Sequence, residues 1–480
     1  MINKKEYDLI VIGAGSGGLG AALGMFHLGF KVLLIDRKAE NMGGECVNTG
    51  CIPSKALLHI AKQIHQAKLS EEFGLQFTGD VDIQKVKAYI IQKQNAIRSH
   101  ENVEFFREKG LEVQLGNASF ISKNQVTVNN ETYKAKNIVI ATGSSPRTIA
   151  IPGAKNFPVF TNESIFNIDF IPKHFVFIGA GPVSIELGQA FSRLGAKVSV
   201  VDRGNRILKK EDFKISAILL KRLKKEGIRF YFDSEVIQIK DGKNAVLRDG
   251  NGNEQQIPAD ALFMGIGREL NFDSLALEKA GIATNDGKIE LNQKLQTSNK
   301  HIFVSGDAAD NLKFSHAAEL HNMLLINNFL SPFKKKLNFD HFPWVTFTDP
   351  EVATFGQNDS QLKEKGINYE RLETNFDEDD RAVTDNYEYG KLILFIEKKR
   401  FNPGNAKILG GSMIAPNAGE IIQELILAGV AGIKIGAFMN KIYAYPTAAN
   451  IHKSLLREKM VSQLKPWMKE IIKKWYRFKE

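Results

Sequence analysis

Two stretches of this chain repeat one plan. Residues 7–36, "YDLIVIGAGSGGLGAALGMFHLGFKVLLID", read as strand, glycine turn, helix and strand. Residues 174–202, "HFVFIGAGPVSIELGQAFSRLGAKVSVVD", read the same way. In the first unit Gly13, Gly15 and Gly18 stand where a dinucleotide-binding turn needs them. The first glycine permits the tight turn, the second lets the backbone approach a pyrophosphate, and the third lets helix and strand pack closely. In the second unit Gly179 and Gly181 match, and Ser184 takes the third position, where a small residue still permits close packing. Each unit closes on a carboxylate, Asp36 or Asp202, 23 residues after its first glycine and placed to accept hydrogen bonds from a ribose. One such fingerprint is a weak signal. Two with matched acidic spacing predict an α/β fold with two Rossmann-like dinucleotide-binding domains.

A chain of 480 residues exceeds one ordinary core, so two to four domains are expected. Its 43% hydrophobic and 25% charged content is that of a soluble globular protein. The opening apolar run leads straight into the glycine turn and does not read as a signal peptide. The most apolar later stretch, 425–439, is broken by Lys434 and several glycines and reads as packed core. The net charge of +10 is uneven: residues 453–480 carry nine Lys/Arg and three Glu, or +6, leaving +4 for the rest. That distribution argues against a nucleic-acid-binding body and for a local surface role of the C-terminal end.

Two further strands end in informative residues. "NIVIATGSSPR" (137–147) closes on Thr142-Gly143, and "KHIFVSGDAAD" (300–310) on Gly306-Asp307. A carboxylate at a strand's C-terminal end lies at the crevice where open sheets bind ligands. The stretch "GGECVNTGCIPSK" (43–55) holds both cysteines of the chain, Cys46 and Cys51. Such sparing use of cysteine fits a reducing, cytoplasmic setting. So short a loop makes a poor stabilising staple, and two ligands alone rarely hold a metal, so no metal site is expected. The pair reads as redox-active, with a structural or relic pair as the alternative. Pro53 is placed to open a helix, which puts Cys51 near a helix N-terminus that favours its thiolate.

Both fingerprints, "GGECVNTGCIPSK", "ATGSSP", "GIGR" (265–268), "VSGDAA" and "FTDPEVATFG" (347–356) occur in that order. Together they resemble the class I pyridine nucleotide–disulfide oxidoreductases, on the branch of the mercuric reductases and dihydrolipoamide dehydrogenases, over roughly residues 5–455. The resemblance implies a first FAD-binding segment at 1–150, an NAD(P)-binding domain at 151–270, a second FAD-binding segment at 271–340 and an α+β dimerisation domain at 341–463, followed by a basic tail at 464–480. It implies FAD held by Gly13, Gly15, Gly18, Asp36, Gly44, Ala118, Thr142, Gly143, Ser144 and Asp307. NAD(P)H would be held by Gly179, Gly181, Ser184, Asp202, Arg203 and Gly267. Lys55 and Glu186 match a pair beside the flavin N5. Cys51 matches the thiol that lies against the flavin, and Cys46 the one that faces substrate. A homodimer is implied as well.

The pattern breaks near the C-terminus. Where disulfide reductases of this family carry His-Pro-Thr followed by Glu, the chain reads "IYAYPTAANIHK" (442–453), with Tyr445 and Asn450 at those places. A phenol is a poor base at neutral pH. Ordinary lipoamide or glutathione turnover is therefore not expected. His452 is expected at the surface rather than as a substitute base. Tyr445 resembles mercuric reductase, but the two cysteines are used up by residue 51, so little mercury turnover is expected.

The resulting expectation is an enzyme that passes electrons from NAD(P)H through FAD and the Cys46–Cys51 pair to an unidentified small-molecule acceptor: a quinone, a metal ion or an unusual disulfide. The alternatives are a dihydrolipoamide dehydrogenase or mercuric reductase proper, and a non-catalytic, membrane-associated redox sensor. Asp202 favours NADH, whereas Arg203 and Arg206 would instead clamp the 2′-phosphate of NADPH. In the tail, Trp467, Ile471, Trp475 and Phe478 fall on one helical face widened by Leu464, Met468 and Ile472, with Lys469, Lys473 and Arg477 opposite. Such a helix either docks on the dimer or lies on the inner face of a membrane.

Overall fold

The computed structural model describes residues 5–400, 402–463 and 466–478. The chain divides into two compact units. The first comprises residues 1–179, 190–203 and 233–338, and the second residues 180–189, 204–232 and 339–480.

The first unit is built on the repeat read from the sequence. Strand β1 (Lys5–Ile12), helix α1 (Ser16–His27) and strand β2 (Val32–Asp36) form the first βαβ unit. β1 and β2 pair in parallel, with Leu9 opposite Val32 and Ile12 opposite Ile35. Outside β2 lies β3 (Glu112–Leu115), also parallel. On the other side of β1 lie β4 (Glu131–Ile140) and then β5 (Ile302–Val304), again parallel. The first half of β4 also carries an antiparallel hairpin. Successive strand side chains face opposite ways, and both faces of this sheet are covered. Ile10 and Ile12 join a cluster with Phe120, Tyr133 and Ile138, while Leu9 and Val11 pack with Leu19, Met25 and Leu325 on the other side. That is why β1 is a continuous apolar run rather than an alternating one.

The second fingerprint gives a second parallel sheet in the same unit. Its strands, in spatial order, are Lys197–Val201, His174–Ile178, Ala261–Met264 and Val159–Phe160. Beside it in sequence runs an antiparallel ladder of Ser234–Lys240, Asn244–Asp249 and Glu254–Pro258. The helix Pro182–Arg193 follows the second glycine turn.

The second unit centres on a five-stranded antiparallel sheet. Its order is Pro343–Thr346, Glu351–Gly356, Ile408–Ala415, Lys391–Glu397, Tyr369–Asn375. Phe355, Phe376, Met413, Leu425, Leu455 and Leu456 share its core. The 425–439 stretch is packed core only on one face. Leu425, Ala428 and Ile435 are buried, whereas Leu427 and Val430 are exposed. No helix among the described residues is long and apolar enough to cross a membrane.

One sequence expectation fails here. His452 is fully buried, not at the surface. It lies on the helix Asn450–Ser462, whose Ile451, Leu455 and Leu456 pack into the core, and its Nδ1 bonds Glu424 Oε1. Burial holds the imidazole below its usual pKa, against the pull of that carboxylate. Residue type alone did not tell which face of this helix turns inward.

Candidate active site

The first glycine turn is built for close approach. Gly13 has φ +109°, and a Cβ there would stand 2.2 Å from the carbonyl oxygen of Ala141. A Cβ on Gly18 would stand 1.7 Å from the carbonyl oxygen of Gly13, so helix and turn touch through backbone alone. Gly44, with φ +62°, meets Gly15 in the same way: its Cβ would lie 2.5 Å from the Gly15 Cα. The redox loop is thereby pressed onto the nucleotide turn. Asp36 holds that turn, because its Oδ2 accepts from the Ala14 amide at 2.7 Å and its Oδ1 from Asn41 at 2.9 Å. Ala118 is buried just before the strand Ser119–Ser122.

At the C-terminal edge of the same sheet, Thr142, Gly143, Ser144 and Asp307 come together. Asp307 follows β5 in a short 3₁₀ turn. Its Oδ2 accepts from Ser144 Oγ at 2.6 Å and lies 3.4 Å from Arg268 Nε. The Gly306 amide donates to His321 Nδ1 at 3.1 Å, and burial keeps that histidine neutral, with its pKa lowered to about 4.

The cysteines occupy the loop and helix that follow Gly44. Cys51 is the first residue of the helix Cys51–Leu69, with Gly50 before it and Pro53 within its first turn. Both thiols are free and half-buried. The Cys51 thiol contacts Ser315 Oγ at 3.3 Å. It receives a hydrogen bond from Cys46, which with Ser315 and the Lys55 ammonium outweighs burial and lowers its pKa to about 6. The same bond, together with burial, pushes the Cys46 thiol up. The two sulfurs are therefore unequal: Cys51 is the thiolate, and Cys46 the thiol that donates to it.

Four residues that the sequence did not single out complete this corner. Arg268 forks onto Glu45, with Nη1 to Oε1 at 2.9 Å and Nη2 to Oε2. Its Nε donates to Ser144 Oγ at 2.6 Å. Asn162 Nδ2 donates to Glu45 Oε1 at 3.0 Å. Ser315 meets Cys51 from the start of the helix Ser315–Leu330. Glu45 was legible as a charge beside Cys46, and Arg268 as the end of "GIGR"; nothing local marked Asn162 or Ser315.

The second turn is less crowded. Gly179 has φ +97°, and its Cβ would stand 2.5 Å from the Gly265 carbonyl oxygen, but a Cβ on Gly181 or Gly267 would meet open space. Asp202 follows the strand Lys197–Val201, and Arg203 is paired with Glu235 at 2.7 Å. In the second unit, Arg206 donates to the Lys209 carbonyl at 2.6 Å. Ser184 and Glu186 are buried on their helix, and Glu186 Oε1 accepts from the Phe347 amide at 2.8 Å. Tyr445 is 77% exposed. Its hydroxyl donates to Asp380 at 2.9 Å, and that carboxylate raises the phenol pKa further.

These features fit a bound flavin dinucleotide. Gly13 and Gly18 close the first turn through backbone alone, a Cβ on Gly15 would meet only the Gly44 Cα at 3.5 Å and would project into the space a pyrophosphate needs, and Thr142 Oγ1 is buried with no partner among the described residues. The chain belongs to the pyridine nucleotide-disulphide oxidoreductases: that family's model matches residues 7–321, and its dimerisation-domain model matches residues 342–455. It is 31% identical over 465 residues to a mercuric reductase of Staphylococcus aureus, covering 96% of this chain and 84% of that protein. It is 34% identical over 459 residues to a dihydrolipoyl dehydrogenase of Geobacillus stearothermophilus, covering 93% and 94% respectively. Among solved structures, it shares the fold of the HOCl-induced flavoprotein disulfide reductase RclA from Escherichia coli, with a TM-score of 0.81, 24% identity and coverage of 96% and 100%. The protein is accordingly an NAD(P)H-dependent flavin disulfide oxidoreductase, with FAD and NAD(P)H as the cofactors typical of its family. Bound FAD supplies the two-electron chemistry, and the chain supplies binding, orientation and electrostatics.

Proposed function

We propose that the protein passes electrons from NADH to a small acceptor that needs no histidine proton donor, either a quinone or a metal ion. The observation that carries this is the unequal thiol pair, with Cys51 at a helix start and no imidazole on the loop that holds Tyr445. In this reading the FAD side is held by Gly13, Gly15, Gly18, Asp36, Gly44, Ala118, Thr142, Gly143, Ser144 and Asp307. The nicotinamide side is held by Gly179, Gly181, Ser184, Asp202 and Gly267, and Lys55 and Glu186 serve the hydride step. The FAD-binding segments are residues 1–150 and 271–340, flanking the NAD(P) domain at 151–270. Tyr445, exposed and tied to Asp380, serves acceptor binding rather than proton transfer. An acceptor panel on the purified flavoprotein, with Cys46→Ala and Cys51→Ala variants, tests this. Equal turnover of quinone or metal ion by the parent and both variants would remove the cysteines from the path, and preferred turnover of lipoamide or glutathione would overturn the acceptor class.

NADH is favoured because Asp202 closes the second nucleotide-binding repeat while Arg203 and Arg206 are engaged by Glu235 and a carbonyl. A higher kcat/KM with NADPH would reverse this. The dimerisation domain points to a homodimer, and the exposed Leu427, Val430 and Ile442 support one. The helix Pro466–Phe478 supports a peripheral membrane contact: Trp467, Ile471, Ile472 and Phe478 are all more than half exposed, and basic residues lie across from them. Leu464, expected on that face, lies outside the described residues. Co-sedimentation with anionic vesicles should be lost when residues 464–480 are deleted, and equal sedimentation of both forms would refute the contact.

A further inference from the structure

The corner where the redox loop meets the dinucleotide cradle is tied by one cation. Arg268 spends both Nη groups on Glu45 and its Nε on Ser144, and its second Nη also donates to the Ser144 carbonyl at 2.8 Å. Ser144 in turn donates to Asp307. From the other side, the buried Asn162 donates to Glu45 at 3.0 Å and to the Thr49 carbonyl at 3.4 Å. Glu45 and Thr49 both belong to the segment between Gly44 and Cys51. A fork from a planar guanidinium to a carboxylate fixes direction as well as distance. The loop that carries the thiols is thus held by a bidentate ion pair whose cation also holds the Ser144–Asp307 corner.

We propose that Glu45 is a positioning residue of the redox loop whose charge is coupled, through the Arg268 fork, to the oxidation state of the Cys46–Cys51 pair. This rests on the redox reading of that pair given above. The balance is simple. One hydride equivalent from NAD(P)H, two electrons and a proton, breaks the sulfur–sulfur bond. Cys46 takes the proton as a thiol, Cys51 keeps an electron pair as the thiolate, and NAD(P)⁺ is released. No other reactant is required. Reduction therefore places a new negative charge at Cys51, in the field of the Glu45–Arg268 pair.

The surrounding groups decide the sign. Burial raises Glu45 to about 7, opposed by Arg268 and reinforced by Asp307 and Cys51. Cys51 itself is faced by Cys46, Ser315 and Lys55, and Cys46 is faced by Glu101. An ionised Glu45 opposes the Cys51 thiolate and engages the nearby guanidinium. A protonated Glu45 does neither. The dithiol state should therefore be favoured when Glu45 is neutral.

The test uses the FAD-loaded full chain. The thiol–disulfide equilibrium is measured against dithiothreitol buffers by alkylation and peptide mass spectrometry, and the pH profile of iodoacetamide labelling at Cys51 is recorded alongside. Glu45→Gln keeps the shape and removes the charge. It should move the equilibrium toward the dithiol by at least about threefold near pH 8, where the parent Glu45 is ionised. The shift should fade near pH 6, where the parent is already protonated. Arg268→Gln should move the equilibrium the other way. A Glu45→Gln shift that is absent, or the same at both pH values, would overturn the coupling. So would loss of FAD from both variants, which would leave a purely structural clamp. A parent that shows no reversible disulfide at all would sink the redox reading of the pair instead.

Discussion

Gly18→Ala probes the first nucleotide turn most directly. Its added Cβ would stand 1.7 Å from the Gly13 carbonyl oxygen and 2.9 Å from the Gly13 carbonyl carbon. Both atoms are backbone, so no side chain can swing away. The start of the helix Ser16–His27 or the turn itself must retreat by more than an ångström to reach even a tight contact. Overpacking of this kind costs about 1–3 kcal/mol, and here it falls on the backbone that would meet the pyrophosphate. If the turn must return to its native shape to hold FAD, about 2 kcal/mol appears as roughly thirtyfold weaker FAD binding. Titration of the apoprotein with FAD, followed by flavin fluorescence, measures this. Gly29→Ala is the control: its φ is +85° but a Cβ there meets nothing within 4 Å, so it should cost stability without weakening FAD. Parental FAD affinity in Gly18→Ala would refute the close-approach reasoning, as would an equal loss in Gly29→Ala.

Other perturbations follow from the same structure. Gly181→Ala should leave the melting temperature unchanged, because a Cβ there meets open space, yet raise KM for NADH several-fold if the nucleotide fills that space; an unchanged KM would place the dinucleotide elsewhere. Cys46→Ala removes the leading cause of the lowered Cys51 pKa, so the midpoint of Cys51 alkylation should move up from about 6, and a fixed or lower midpoint would contradict the donor assignment. Glu424 is held down at about 2, burial being outweighed by hydrogen bonds from His452, Lys441 and Tyr443. Its stabilising effect should be full above its ordinary pKa of 4.5 and lost as pH falls toward about 2. Glu424→Gln should therefore lower the melting temperature at neutral pH, with the gap to the parent closing in acid; a gap that persists in acid would show that the ion pair is not its source.

Much of the site was legible because its chemistry is local. Gly18 needs no tertiary information, because the turn crosses its own backbone five residues earlier and excludes a side chain wherever it occurs, and the positive φ of Gly13 is likewise a property of the turn, although the Ala141 carbonyl that presses on it comes from a distant strand. The apolar run Leu9–Ile12 likewise announces a strand buried on both faces. Cys51 could be placed at a helix start because Pro53 sits two residues later. His452 could not be placed, because a helix pattern gives spacing without saying which side a domain will bury. The Arg268–Glu45 fork could not be read either, since its partners are 223 residues apart in the chain.

The sequence by itself determined the two nucleotide turns, the sparing use of cysteine and the missing histidine, since each depends on residue type at short range. Tertiary structure decided how the redox loop is held, by the Arg268 fork and Asn162, and which distant group, Ser315, meets the Cys51 thiol whose helix start the sequence had already placed. Those depend on charges and hydrogen bonds that only folding brings within a few ångströms of one another, in surroundings where burial makes them count.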